Sequence, residues 1–236
     1  MKKLIACAFI ALAACSPSDN TTAKSEPAKT EPVAAAPPTP VATEAPAGAY
    51  KLDKMHASLL FRVNHIGFSN YTAQFTDFDA QLQIDPKNPS ASSLTATVNA
   101  ASLLLSSPPK GFLESLLGKD WLDVGKFSQI TFKSTSVELT GTDTARVTGD
   151  FMLHGVTAPL TLDVKFNGGY AGHPMDPNAR IGFSAHGSLK RSAFGIAYGI
   201  PAPGTTMGVS DNVDVIIEVE FSGPPLATAN PQPAPK

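Results

Sequence analysis

The sequence predicts an all-β domain of eight antiparallel strands with one short helical insertion. Three observations carry this. Eight segments between residues 57 and 221 alternate apolar and polar side chains with period two, the mark of half-buried strands. Short, turn-forming stretches join them. Almost no charge falls on their apolar faces. Continuous alternation fits a sheet whose one face lines a closed interior, so an eight-stranded barrel is expected, with a sandwich as the other arrangement the pattern allows. A barrel of this size is either filled by side chains or holds one small ligand, and periodicity alone does not separate the two.

The elements follow in order. From Ala57, the residues Leu59, Phe61, Val63 and His65 share one face, with Ser58, Arg62 and Asn64 mostly opposite. Tyr71 to Asp85 begins with Tyr71, Ala73 and Phe75, then shifts parity to Phe78, Ala80, Leu82 and Ile84, which predicts a bulge near Thr76 or Asp77. Asp85 to Pro89 is a turn by composition. Leu94, Ala96, Val98 and Ala100 mark the third strand. Pro109 to Leu117 is the one interval with helical spacing, through Phe112, Leu113, Leu116 and Leu117, and Trp121, Leu122 and Val124 extend it. Ile130, Phe132 and Val137 form a strand of imperfect period, closed by a loop at Gly141-Thr142-Asp143. The fifth run is Ala145, Val147, Gly149, Phe151 and Leu153; the stretch His154 to Pro159 supplies the next turn. Leu160 to Phe166, Ile181 to Leu189 and Val213 to Phe221 complete the set.

The flanks read differently. Lys2 and Lys3, the apolar run Leu4 to Leu12 and the string Leu12-Ala13-Ala14-Cys15 have the three parts of a secretory signal ending in a lipobox. Residues 1–14 are therefore expected to be removed. By resemblance to bacterial lipoproteins, Cys15 becomes a lipidated first residue, which anchors the chain to a membrane. Cys7 leaves with the signal, so no intramolecular disulfide is expected. Ser16 follows the cysteine where an Asp would signal inner-membrane retention; the expected location is the cell envelope, at the periplasmic face of the outer membrane rather than the inner. Residues 15–49 are rich in Pro and Ala, with seven prolines from Pro17 to Pro46 and no aromatics before Tyr50, and are expected to be a disordered tether. Such a tether reaches on the order of 30 Å as a coil and about 100 Å when extended. Residues 50–223 form the domain and 224–236 a disordered tail.

Of the chain's 236 residues, 18 are Lys or Arg and 20 Asp or Glu, a formal net charge of −2 with no basic stripe, which argues against nucleic acid as a partner. Gly-x-Ser-x-Gly, Cys-x-x-Cys-His, a dinucleotide-binding glycine motif and a phosphate loop are all absent, so no catalytic residue, metal ligand or cofactor is assigned. His56 and His65 are nine residues apart, an odd separation that places them on opposite faces of an uninterrupted strand and argues against a chelating pair. His56 is read as a hydrogen-bonded strand-end residue, and His154 as part of a hairpin. His173 and His186 lack ligand spacing.

Several strings, in order and spacing, resemble the YceI-like family of periplasmic proteins: Tyr50 to Ser58, Phe61 to Gly67, Phe75-Thr76-Asp77-Phe78-Asp79, Ile130 to Thr135, Val147-Thr148-Gly149-Asp150, His154-Gly155-Val156-Thr157 with Pro159, and Lys190-Arg191-Ser192 with Phe194-Gly195. Ala193 stands where that family usually has an acidic residue. The resemblance implies a lipocalin-like antiparallel barrel around a long apolar molecule, and no defined enzyme activity. Isoprenoid, isoprenoid-quinone and fatty-acyl compounds are the implied ligands; a homodimer is left open.

On spacing alone the aromatic rings are core. With the resemblance they become tunnel lining, and the ligand-contact set is then Phe61, Val63, His65, Phe75, Phe132, Phe151, Phe166 and Phe183. Arg62, His65 and Arg191 are candidates for orienting a headgroup at the mouth, against a solvated outer face for both arginines. The apolar insertion around Phe112 and Trp121 is read as a plug for one end in preference to a lid or a membrane contact.

Overall fold

The computed structural model describes residues 38–226. The signal, Cys15, the first part of the tether and residues 227–236 of the tail lie outside them. The described chain holds β1 (Gly48–His65), β2 (Ser69–Phe75), β3 (Phe78–Ile84), β4 (Ser93–Asn99), β5 (Leu103–Leu104), α1 (Phe112–Leu117), β6 (Gln129–Leu139), β7 (Thr144–Leu153), β8 (Val156–Tyr170), β9 (Asn178–Lys190) and β10 (Val209–Pro225). All ten strands pair antiparallel in one sheet, ordered β10-β9-β8-β7-β6-β4-β3-β1-β2-β5, and β10 also pairs with β1. That last pairing closes the sheet into a barrel and removes its free edges.

The barrel has eight staves. β2 and β3 are one stave, broken at Thr76-Asp77 where the sequence changes parity; β2 pairs with the second half of β1 and β3 with its first residues. β4 and β5 are likewise one stave, interrupted by the 3₁₀ turn Ala100–Ser102. The imperfect period of β6 has a similar cause. Its register against β7 slips between Ser134 and Ser136, so Thr135 is an extra residue and Val137 returns to the inner face.

Some expectations need correction. The turn between β7 and β8 consists of His154 and Gly155 alone, both at positive φ (52° and 76°), and Val156 to Pro159 already belong to β8. A two-residue hairpin whose central residues are both left-handed matches the twist of its strands, which is why so short a loop suffices. Helix α1 is shorter than Pro109 to Leu117, because Gly111 sits at φ 79° and the helix starts after it. β1 is not uninterrupted: residues 53–56 bulge between Leu52, opposite Phe221, and Ala57, opposite Val219, so the parity comparison of His56 with His65 does not apply.

Order also extends beyond the expected domain limits. β1 starts at Gly48 and β10 runs to Pro225. Upstream of β1, the Val41 backbone N–H donates to Thr142 O at 2.7 Å, the Thr43 hydroxyl donates to Gly169 O at 3.1 Å, and Ala45 is buried. Tyr50, 1% exposed, donates its hydroxyl to Pro46 O at 2.7 Å. Residues 38–47, assigned to the tether on composition, are thus held by backbone groups of the barrel, a contact that composition does not encode.

Candidate functional site

The inward residues of the staves are the alternating apolar ones. In a filled barrel they would all be fully buried. Here Phe132, Leu160, Leu162 and Phe221 are buried, while Leu59, Phe61, Val63, Val213, Val215, Ile217 and Val219 remain only half-buried although they face the interior. The reason is that the interior is hollow. A cavity of about 670 Å³ runs between β1, β4, β6, β7 and β10, and a smaller one of about 170 Å³ lies nearer the β6–β7 hairpin. The larger is within the range of pockets that enclose whole organic ligands.

Six of the eight residues proposed from sequence line the larger cavity: Phe61, Val63, His65, Phe75, Phe132 and Phe151. Phe166 and Phe183 do not. They line the smaller one, their rings 5.7 Å apart, with Phe183 edge-on to Phe221 at 6.3 Å. Among the aromatics of the larger cavity, Phe61 and Phe75 are 5.7 Å apart, and Phe151 meets Phe194 edge-on at 5.3 Å.

One end of the larger cavity lies at the β1–β2 turn, the β7–β8 hairpin and the start of β10, where His65, Leu153 and Val209 line it. Phe112, Leu116, Trp121 and Leu122 of the insertion also line it; Leu113, Leu116 and Leu117 pack on Ala73, Leu103 and Leu105, and Trp121, Leu122 and Val124 on the cluster of Leu153, Phe194 and Ile196. Phe68 and Met207, in the loops before β2 and β10, are exposed. His65 is exposed at this end, and Arg62 points from the outer face of β1.

Arg191 lines the larger cavity but is not solvated, and most of its donors are turned to the protein. It is 4% exposed, with its Nε donating to Ser210 O (3.0 Å), Nη1 to Ile196 O and Tyr198 O (3.0 and 2.8 Å) and Nη2 to Val209 O (2.8 Å). Its guanidinium stacks 4.9 Å over Trp121, which in turn packs edge-on against Tyr198. Burial lowers its pKa from the ordinary arginine value, yet four backbone carbonyls take all but one of the N–H donors of the forked guanidinium. The string around it now has a physical basis. Ser192 donates its N–H and hydroxyl to Asp211, Phe194 packs on Phe151, and Gly195 supplies the φ of 78° that ends the turn.

The sequence reading missed an ion-pair cluster on the outer surface. In the β1 bulge, Asp53 pairs with Arg180 of β9 and with His56 Nδ1 (3.0 Å); Arg180 Nε donates to Asp176 (3.1 Å), which also accepts from the Tyr170 hydroxyl (2.6 Å). Hydrogen bonds from His56 and then Arg180 lower the Asp53 pKa to about 2, while Asp53 and then Glu220 raise that of His56. Asp53, His56 and Glu220 bring ligand-type atoms within 4.8 Å of one another, but Arg180 already engages the Asp53 carboxylate. The cluster pins the bulge to β9 across the barrel seam. His154 is a hairpin residue, its Nδ1 bonded to Phe194 O at 3.1 Å and its ring edge-on to Phe127 at 4.6 Å.

Residues 50–221 match the YceI-like domain. The protein YceI of Escherichia coli O157:H7 is 38% identical over 184 residues, which cover 76% of this chain and 89% of that one. The chain belongs to the YceI family. Its barrel is also seen in BcnA of Burkholderia cenocepacia (TM-score 0.61, 24% identity, 72% of this chain and 98% of that one). A polyisoprenoid binding domain from Saccharophagus degradans shares the fold at TM-score 0.51 and 14% identity, over 74% of this chain and 98% of that one.

Proposed function

We propose that this YceI-family protein binds one amphiphilic isoprenoid-like or fatty-acyl molecule in its barrel, holds it without covalent chemistry, and carries or sequesters it at the bacterial cell envelope. The observation that carries the reading is the cavity of about 670 Å³, whose walls are almost entirely aliphatic and aromatic. An apolar tail there is driven by burial, at roughly 25 cal/mol per Å² removed from water, and needs no charged contact along its length. The sharing of this fold with a polyisoprenoid binding domain is in keeping with the reading, which rests on the cavity. His65 lies where a headgroup would emerge.

The anchor belongs to the same proposal. A lipidated Cys15 would hold the barrel beside the membrane in which such ligands reside, and more than one acyl chain makes that attachment stable. The test is native against denaturing mass spectrometry of the barrel, residues 38–226, exported to the periplasm without the anchoring Cys15 and purified without detergent. A bound mass that vanishes on denaturation and matches an isoprenoid or fatty-acyl compound is the expected result. No bound mass, and no uptake of isoprenoid quinone or fatty amide offered to the stripped protein, would leave an interaction role for the outer surface instead.

A further inference from the structure

We propose that the two cavities are successive compartments of one tunnel, and that the strap upstream of β1, residues 38–46, closes its far end and so limits the length of tail the barrel accepts. This rests on the ligand-binding reading above and adds a length-determining subsite to it. The two cavities share Leu94, Leu162, Ile217, Val219 and Phe221 as lining, so side chains and not backbone stand between them. Aliphatic side chains change rotamer without disturbing the strands that carry them, whereas a backbone partition could not yield.

The smaller cavity lies at the opposite end from His65. Leu139 and Thr144, beside the β6–β7 hairpin, line it, whereas Leu153, at the other end of β7, lines the larger one. Along β10 the lining runs from Val209 to Phe221, roughly 30 Å of axial length for a strand tilted by about 40°. Pro40, Val41 and Thr43 of the strap complete the lining of the smaller cavity. They are placed there by the bonds of Val41 to Thr142 and Thr43 to Gly169, and by Ala45, which packs so close to Gly169 that a side chain at 169 would meet it at 3.2 Å. Among the described residues, Asp143 is the one charged residue lining this end. A carboxylate there disfavours an anionic headgroup and leaves the hydrocarbon terminus as the occupant. The strap precedes residues 50–221, which match the family domain.

Affinity should therefore rise about fourfold for each added buried methylene until the tail reaches the strap, and then stop rising or fall. The test uses the full chain, stripped of bound lipid, with a homologous series of isoprenoid quinones of increasing tail length, and reads the length at which affinity stops rising. Ala145→Phe, which fills the smaller cavity, should move that length down by at least one isoprene unit. Deletion of residues 38–43, which keeps Ala45 and the Pro46 carbonyl that Tyr50 uses, should admit tails longer than the parent accepts with at least a tenfold gain. Retained short-tail binding shows that each variant is folded. Short-tail binding with an unchanged cut-off in both variants overturns the strap proposal and leaves the binding function standing. Failure of the parent to bind any member of the series, and a fatty amide as well, overturns the binding function itself.

Discussion

Replacing Arg191 by Met separates a structural from a ligand-contacting role for the one buried charged residue among those described. The substitution keeps most of the apolar stem but removes all four donated hydrogen bonds and the contact with Trp121. The Ile196 carbonyl is buried and water cannot replace the lost donor, at a cost of about 2 kcal/mol; the three part-buried carbonyls cost about 0.5 kcal/mol each because water reaches them. Loss of the stacked cation adds about 1 kcal/mol. Against this, a desolvated charge is removed, which returns part of its burial penalty, so the net destabilisation should be about 3 kcal/mol. With a urea slope of about 2 kcal/mol/M, the midpoint should fall by about 1.5 M. Trp121, the single tryptophan, reports the transition by fluorescence. Arg191→Lys should fall between the two, since one ammonium cannot reach carbonyls on both sides of the loop. A midpoint shift below about 0.3 M, the size of a surface substitution, together with loss of ligand affinity, would falsify this account and return Arg191 to the headgroup.

Four further outcomes are expected. Gly223→Ala should cost about 1–3 kcal/mol in denaturant unfolding, because the new methyl would overlap the Tyr50 ring, which is fully buried and tied to Pro46; a neutral result would mean the ring can withdraw. Phe151→Trp should lower isoprenoid quinone uptake at least tenfold by occupying the larger cavity, and undiminished uptake by a folded variant would remove Phe151 from the lining. His56→Gln should raise the pH of acid unfolding. Asp53, depressed to about 2 when folded, contributes stability that is full above the ordinary carboxylate pKa and is lost as pH falls from there through the folded value, and His56 is the largest cause of the depression. The raised pKa of His56 has the opposite sign, its stabilisation being full below its ordinary value and lost as pH rises through the folded one, so the parent protein alone should lose stability in that upper window. Cys15→Ser should release the protein from membranes, and sedimentation of the variant with the membrane fraction would assign the attachment to something else.

How much of the site was legible depends on the kind of information each residue carries. Phe132 and Phe151 face the interior because a strand alternates its side chains, and alternation is written in the sequence. The break at Thr76-Asp77 was legible for the same reason, since an inserted residue inverts parity. Arg191 was not legible as a structural residue. Its partners are backbone carbonyls of Ile196, Tyr198, Val209 and Ser210, and carbonyls have no residue type to recognise. The Asp53–Arg180 pair joins residues 127 positions apart across the seam, visible only once β1 and β10 have closed the barrel.

By itself, then, the sequence determined the eight staves, the inward set of apolar residues and the family, because period and local motif are properties of the chain. Tertiary structure alone decided that the interior is hollow, that Phe166 and Phe183 line a different compartment from Phe151, and that residues 38–47 pack on the barrel's end. The physical reason is that alternation states which side chains point inward but not how far apart the opposing walls stand. That distance follows from the stagger and closure of the sheet, and it separates a filled core from a cavity.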